Sequence, residues 1–256
     1  MILTIEQIVA FLLIFTRLAS LLTFAPVFSN KEVISMFKIS LCFWISALAL
    51  FFVPLPKEMP NTLIMIMLAV IIELLIGAIL GFLSQVFVSA INVGGAIMDT
   101  QAGLSVASLL DPSTGSQTTI IARMTSLIAL LIFLIIDGHH IIFSILIQSF
   151  QVLPVASPYN AQAAIRFLLD TSVNIFAIGL QISAPILLVV FLIDFGFGML
   201  SRVAPQVNVF QLGFQLKPII SLLIFLSIIP GMLDIIYYII EVISSDLIQT
   251  LFLLRV

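Results

Sequence analysis

The sequence predicts an all-α, polytopic membrane protein, and three observations carry that expectation. Hydrophobic residues make up 62 % of the 256 positions and charged residues only 8 %, against roughly a quarter charged in soluble domains. A soluble fold of this length has no core large enough for so much apolar side chain. The apolar residues fall into about six blocks, at 8–28, 36–54, 62–91, 120–136, 173–197 and 218–240, separated by proline and polar residues. Backbone at membrane depth must satisfy its own hydrogen bonds, so each block is expected to be helical. Kinked helical hairpins with a re-entrant central loop are the predicted architecture.

Each block has chemically sensible ends. Pro26 and the polar run Ser29-Asn30-Lys31-Glu32 close the first, and Arg17 together with the lack of a basic N-terminal region argues for a retained helix over a cleaved signal. Pro54, Pro56 and Pro60 close the second, which contains the single cysteine, Cys42; a packing role is expected for it. The third block would run ~45 Å as one helix, well beyond ~30 Å of hydrocarbon. It carries Gly77 and Gly81, a GxxxG spacing that lets helix backbones approach closely. The fourth is short and extends weakly to 153, where Pro154 and Pro158 bound it. Pro185 and Pro230 lie within the last two apolar runs, so kinked, tilted or protein-buried helices are expected. Residues 1–172 read as an N-terminal helical part and 173–256 as a C-terminal hairpin with its loop at 201–217, the two forming one integrated domain.

Residues 92–118 form the longest uncharged interruption, with only Asp99 and Asp111 ionisable. Loops of that length are usually functional or disordered, and the apolar Val106-Ala107-Ser108-Leu109-Leu110 argues against disorder. Gly94, Gly95 and Gly103 are expected to act as hinges, while Asp111-Pro112 sets a turn. Irregular backbone at membrane depth must be buried in protein or line a cavity. An apolar plug that blocks ions by dewetting is one reading of 106–112; a short amphipathic helix packed on its neighbours is the other.

The second unusual interruption is Ser201 to Lys217. Pro205 biases Ala204 away from helix, and Arg202, Gln206, Asn208 and Phe210 crowd the same short stretch. An ordinary hairpin loop is one account; a partner-contact loop is the other. Lys31, Lys38, Arg123, Arg202 and Lys217 outnumber Lys57, Arg166 and Arg255, which puts the 201–217 loop in the cytoplasm.

Arg17, Glu73, Asp137 and Asp194 lie in or beside apolar blocks, where an unpaired charge costs ~3 kcal/mol or more. Buried pairs, snorkelling ends and proton coupling all fit such residues. His139 and His140 are the only histidines. Neighbours on a helix diverge by ~100°, so a capped helix junction after Asp137-Gly138 is expected rather than a metal site. No nucleophile elbow, phosphate loop or zinc spacing is present, so neither catalysis nor a cofactor is expected. With a net charge of −3 and no basic cluster, nucleic-acid binding is not expected either.

Three blocks resemble a known family. APQVNVF with GFQLK at 204–217, GGAIMDTQAGLSVASLLDPSTGSQ at 94–117, and DGHH at 137–140 followed by Ser149, Phe150 and Pro154 are similar in order and spacing to the FliR/SctT family of type III secretion export-gate proteins. The resemblance covers nearly the whole chain. It implies a non-enzymatic subunit of the flagellar protein-export channel in the bacterial inner membrane, at the flagellar basal body. By the same resemblance, 106–112 is a pore-sealing plug, FliP, FliQ and FlhB are partners, and unfolded proteins are the cargo. Where related plugs often carry aromatics, this one offers Val106 and Leu109. A virulence-system homologue has the same mechanics with different cargo. A small-solute secondary transporter is the rival from another class, although no inverted repeat is visible.

Overall fold

The computed structural model describes residues 4–29, 33–54, 59–105, 120–158 and 160–254. These form seven helices: α1 (Ile5–Phe24), α2 (Ser35–Ala49), α3 (Leu63–Ala102), α4 (Ile120–Ile135), α5 (Gly138–Val152), α6 (Ala161–Val203) and α7 (Val209–Leu254). No strand occurs among the described residues. Among the described residues, four helices are long and apolar enough to cross a membrane, or five if the bent pair α4–α5 counts as one span. The all-α polytopic expectation holds.

Three of the helices are longer than the apolar blocks that announced them. α3 has 40 residues, α6 has 43 and α7 has 46, or ~60–70 Å each at 1.5 Å per residue. Hydropathy marks where lipid is tolerated, whereas helical hydrogen bonding continues through polar residues. Asn92, Asp99, Thr100 and Gln101 therefore extend α3 past the apolar run. Residues 92–102, expected to begin an irregular loop, are helical. Pro218 is helical too, and the predicted 201–217 interruption shrinks to the five residues between Val203 and Val209. The weak fourth block is two helices, bent by 64° at Asp137.

Two compact units organise these helices. One comprises Met1–Phe87, Phe133–Ser172 and Ile240–Val256; the other comprises Val88–Ile132 and Val173–Ile239. In the first, Leu13, Leu18, Leu21, Ile76, Leu80, Leu83 and Phe150 are fully buried. Gly77 and Gly81 lie against α1. A Cβ on Gly77 would stand 2.3 Å from the Arg17 carbonyl oxygen, and one on Gly81 would stand 2.5 Å from that of Leu21. Only glycine permits this backbone-to-backbone crossing.

The same crossing brings together two charges 56 residues apart. Arg17 Nε donates to Glu73 Oε2 at 2.5 Å, with both side chains fully buried. Arg17 Nη1 also donates to Ser149 Oγ and to the Leu153 carbonyl, each at 3.1 Å, and Nη2 donates to Leu153 as well. The guanidinium lies 4.3 Å from the Phe150 ring centre. Glu73 Oε1 accepts the Ala156 N–H at 2.9 Å, and Ala156 itself has φ 60°. The network thus satisfies a carbonyl at the end of α5 that the helix leaves orphaned, and it holds the following turn in a conformation that non-glycine residues seldom adopt.

Removing one partner of a buried pair strands the other charge and costs roughly 3–5 kcal/mol, whereas replacing both with apolar residues can be nearly neutral. Glu73→Ala is therefore expected to destabilise strongly, and Arg17→Leu combined with Glu73→Leu to recover most of the loss. Thermal unfolding of the detergent-solubilised protein measures both. A single variant that melts with the parent protein refutes the role given to this pair.

Candidate functional site

The structure concentrates its sequence-specific features where α3 ends and α4 begins. α3 stops at Gly103, whose φ of +79° suits glycine. Gly103 N–H donates to the Thr100 carbonyl at 3.2 Å and Leu104 N–H donates to the Asp99 carbonyl at 3.0 Å. These two bonds have the pattern of a Schellman stop, with glycine in its left-handed position. The Asp99 side chain, fully buried, reaches the start of α4. Its two oxygens accept the N–H groups of Ile121 at 3.1 Å and Ala122 at 2.7 Å. Those donors have no partner within their own helix, and a carboxylate there also meets the positive end of the helix dipole. One residue thus secures both the end of α3 and the start of α4.

Gly94 and Gly95 reinforce this base. A Cβ on Gly95 would lie 2.6 Å from Ala122 Cα and from Thr125 Oγ1, and one on Gly94 would lie 2.9 Å from the Gly179 carbonyl oxygen on α6. Gly179 reciprocates, its virtual Cβ meeting the Ala90 oxygen at 3.0 Å. Ser126 Oγ on α4 is hydrogen-bonded to Asn92 Oδ1 on α3. The two glycines, expected to loosen a loop, are instead helical contact residues facing α4 and α6. Their missing side chains permit proximity here, and the surrounding atoms leave no room for free backbone rotation. Gly103 alone of the three has an open surround. Val106, Ala107, Ser108, Leu109, Leu110, Asp111 and Pro112 lie outside the described residues.

The 204–208 break lies in the same unit. Asn208 Oδ1 accepts the Gln211 N–H at 3.2 Å, so Asn208 caps the start of α7. Arg202, Pro205, Gln206, Asn208 and Phe210 are exposed, Phe210 at 76 % of its surface. Phe210 and Phe214 stack edge to face at 4.8 Å. They border an open cleft of about 470 Å³, whose other walls include Thr100, Gln101, Phe197 and Lys217. Lys217 Nζ pairs with Asp194 Oδ1 at 2.5 Å. This bond across the hairpin, like the Asp99 clasp, could not be read from spacing; of the residues involved, only Asp194 stands out in the sequence as a charge beside an apolar run.

A family model described as "Bacterial export proteins, family 1" matches residues 8–242, from α1 into α7. The chain belongs to family 1 of the bacterial export proteins. Within this family it is 29 % identical to the flagellar biosynthetic protein FliR of Bacillus subtilis over 206 residues, 79 % of each chain. It is 33 % identical to FliR of Pectobacterium carotovorum over 193 residues, 75 % of this chain and 74 % of that one. The Yop proteins translocation protein T of Yersinia pestis is 31 % identical over 137 residues, covering 53 % and 52 %. The Asp99 clasp and the Gly94–Gly179 crossing both fall inside the matched span.

Asp99→Ala leaves two buried N–H groups without an acceptor, at roughly 1–3 kcal/mol each. Native-state hydrogen exchange at the Ile121 and Ala122 amides is expected to accelerate by at least tenfold, about 1.4 kcal/mol of local protection. Asp99→Asn keeps one acceptor and is expected to fall between. Unchanged exchange in the alanine variant refutes the clasp.

Proposed function

We propose that this chain is a structural subunit of the flagellar type III protein-export apparatus in the bacterial inner membrane, where it helps to enclose the path of unfolded proteins. The observation that carries this reading is the family match, which runs through nearly every helix. FliR proteins resemble the chain over about three quarters of their length, and the translocation protein over only half, which favours the flagellar system over the virulence one. The solute-transporter reading loses support because Glu73 and Asp194 are both engaged by cations within the chain.

In this proposal residues 106–112 seal the path at rest. Support comes from the base on which the segment stands: a hydrogen-bonded helix stop at Gly103, a carboxylate clasp at Asp99 and close helix crossings at Gly94 and Gly95. A barrier that closes by dewetting needs an apolar tip on a fixed mount. Val106, Leu109 and Leu110 supply the first, and the anchored ends supply the second. FliP and FliQ are the proposed neighbours in the assembly. FlhB is the proposed partner of the 204–210 turn, through exposed Phe210 and the polar groups of Arg202 and Gln206.

Deletion of 106–112, or replacement of Val106 and Leu109 by serine, is expected to make the assembled complex conduct small ions across a planar bilayer. A deletion that assembles normally and stays electrically silent removes the sealing role while leaving the family assignment intact. Photocrosslinking from position 210 is expected to capture FlhB, and Phe210→Ala to weaken that association while the chain remains inserted. Crosslinks confined to periplasmic components would overturn both the partner and the cytoplasmic placement.

A further inference from the structure

We propose that Asp137, His139 and His140, at the bend between α4 and α5, form a binding site for a divalent first-row transition-metal ion, zinc above all. Asp137 Oδ1 lies 3.3 Å from His140 Nδ1 and 4.0 Å from His139 Nε2. The three donor atoms lie within 4.8 Å of one another. Ligands held about 2.0–2.1 Å from a tetrahedral zinc stand about 3.3–3.4 Å apart. One pair already has that separation, and modest side-chain rotation brings in the third donor. The usual divergence of adjacent helical residues does not keep these rings apart: their centroids are 4.2 Å from each other. Both belong to the first turn after a residue in left-handed conformation, where side chains can swing back beyond the helix end.

The backbone of Asp137 is the second observation. It is the residue before α5, where an aspartate ordinarily accepts a backbone N–H from the first turn. Asp137 makes no such cap bond and has φ 58° and ψ 30°, a region that costs a non-glycine residue about 1–2 kcal/mol, somewhat less for aspartate. Its carboxylate is turned to the two imidazoles instead. The neighbouring Gly138 makes the tight bend possible, since a Cβ there would stand 2.3 Å from the Phe133 ring. His139 Nδ1 is buried without a hydrogen-bond partner, which leaves Nε2 as the nitrogen available to a ligand. Asp137 and His140 are exposed, so water can complete the coordination shell. Two imidazoles and one carboxylate suit zinc, copper or nickel, and not calcium or magnesium, which take oxygen ligands. A bound ion would tie the residue before α5 to the first turn of that helix and so hold the left-handed backbone of Asp137 in place.

The test uses the untagged full chain in detergent, stripped with a chelator and titrated with zinc chloride by calorimetry and with cobalt chloride by visible absorption. The chain has only these two histidines, so no other imidazole can supply the signal. One equivalent of zinc is expected, with a rise in the unfolding midpoint. His140→Ala and Asp137→Gly are each expected to lose at least about tenfold in affinity, the lower end of what loss of even an outer-shell partner costs. Asp137→Gly keeps the left-handed backbone available, and circular dichroism confirms that both variants stay helical. Absence of saturable zinc uptake by the parent chain, or uptake that survives unchanged in either folded variant, overturns the site.

Discussion

The buried contact between Arg17 and Glu73 is the constraint on which the first unit depends. An isolated charge at that depth is costly by several kcal/mol, so neither residue is tolerable unless α1 and α3 cross at one register. Gly77 and Gly81 make that crossing close enough. Ser149 and Leu153 then accept three further Arg17 N–H groups, and the Ala156 N–H occupies the second Glu73 oxygen. Hydrophobic contact between apolar helices in lipid is weakly discriminating, because lipid is as apolar as leucine. A single salt bridge whose every hydrogen bond is specified excludes alternatives that packing alone would permit.

The second unit reaches the same end by different means. Its backbones are brought together by Gly94, Gly95 and Gly179, and its polar anchor is a carboxylate bound to helix-terminal N–H groups rather than to a cation. Both units therefore combine a glycine-mediated crossing with one buried acid whose two oxygens are both used. Large exposed side chains such as Trp44, Phe52, Phe176 and Phe191 surround them. Such surfaces suit lipid or neighbouring subunits, and fit a protein that works within an assembly.

How much of this was legible in the sequence depends on the range of the interaction concerned. Hydropathy located the helical blocks, because a residue's cost in lipid is a property of that residue alone. Helix ends were harder. Asn208 and Gly103 stop or start helices through local hydrogen bonds that hydropathy does not sense, so helix runs into both expected interruptions, 92–118 and 201–217. Glycine was ambiguous for a physical reason: the absence of a side chain gives freedom in a loop and proximity in a helix, and only the neighbours decide. At Gly94 and Gly95 the neighbours are Gly179 and Ala122, more than 25 positions away. The charges at 17, 73 and 194 stood out as improbable in lipid, but their pairing is a tertiary fact. His139 and His140 lie in the first turn of α5, and their rings stand 4.2 Å apart although neighbours on a helix diverge.

The Asp99 clasp has an evolutionary consequence. Because the end of α3 and the start of α4 are bound to the same side chain, the span between them begins and ends at nearly one point in space. The entropic cost of closing such a span grows only logarithmically, about 0.6 kcal/mol for each doubling of its length. Residues could be inserted, removed or exchanged there without reopening the helices on either side. A lineage could thus rewrite one short stretch of gene while selection on the folded scaffold remained undisturbed.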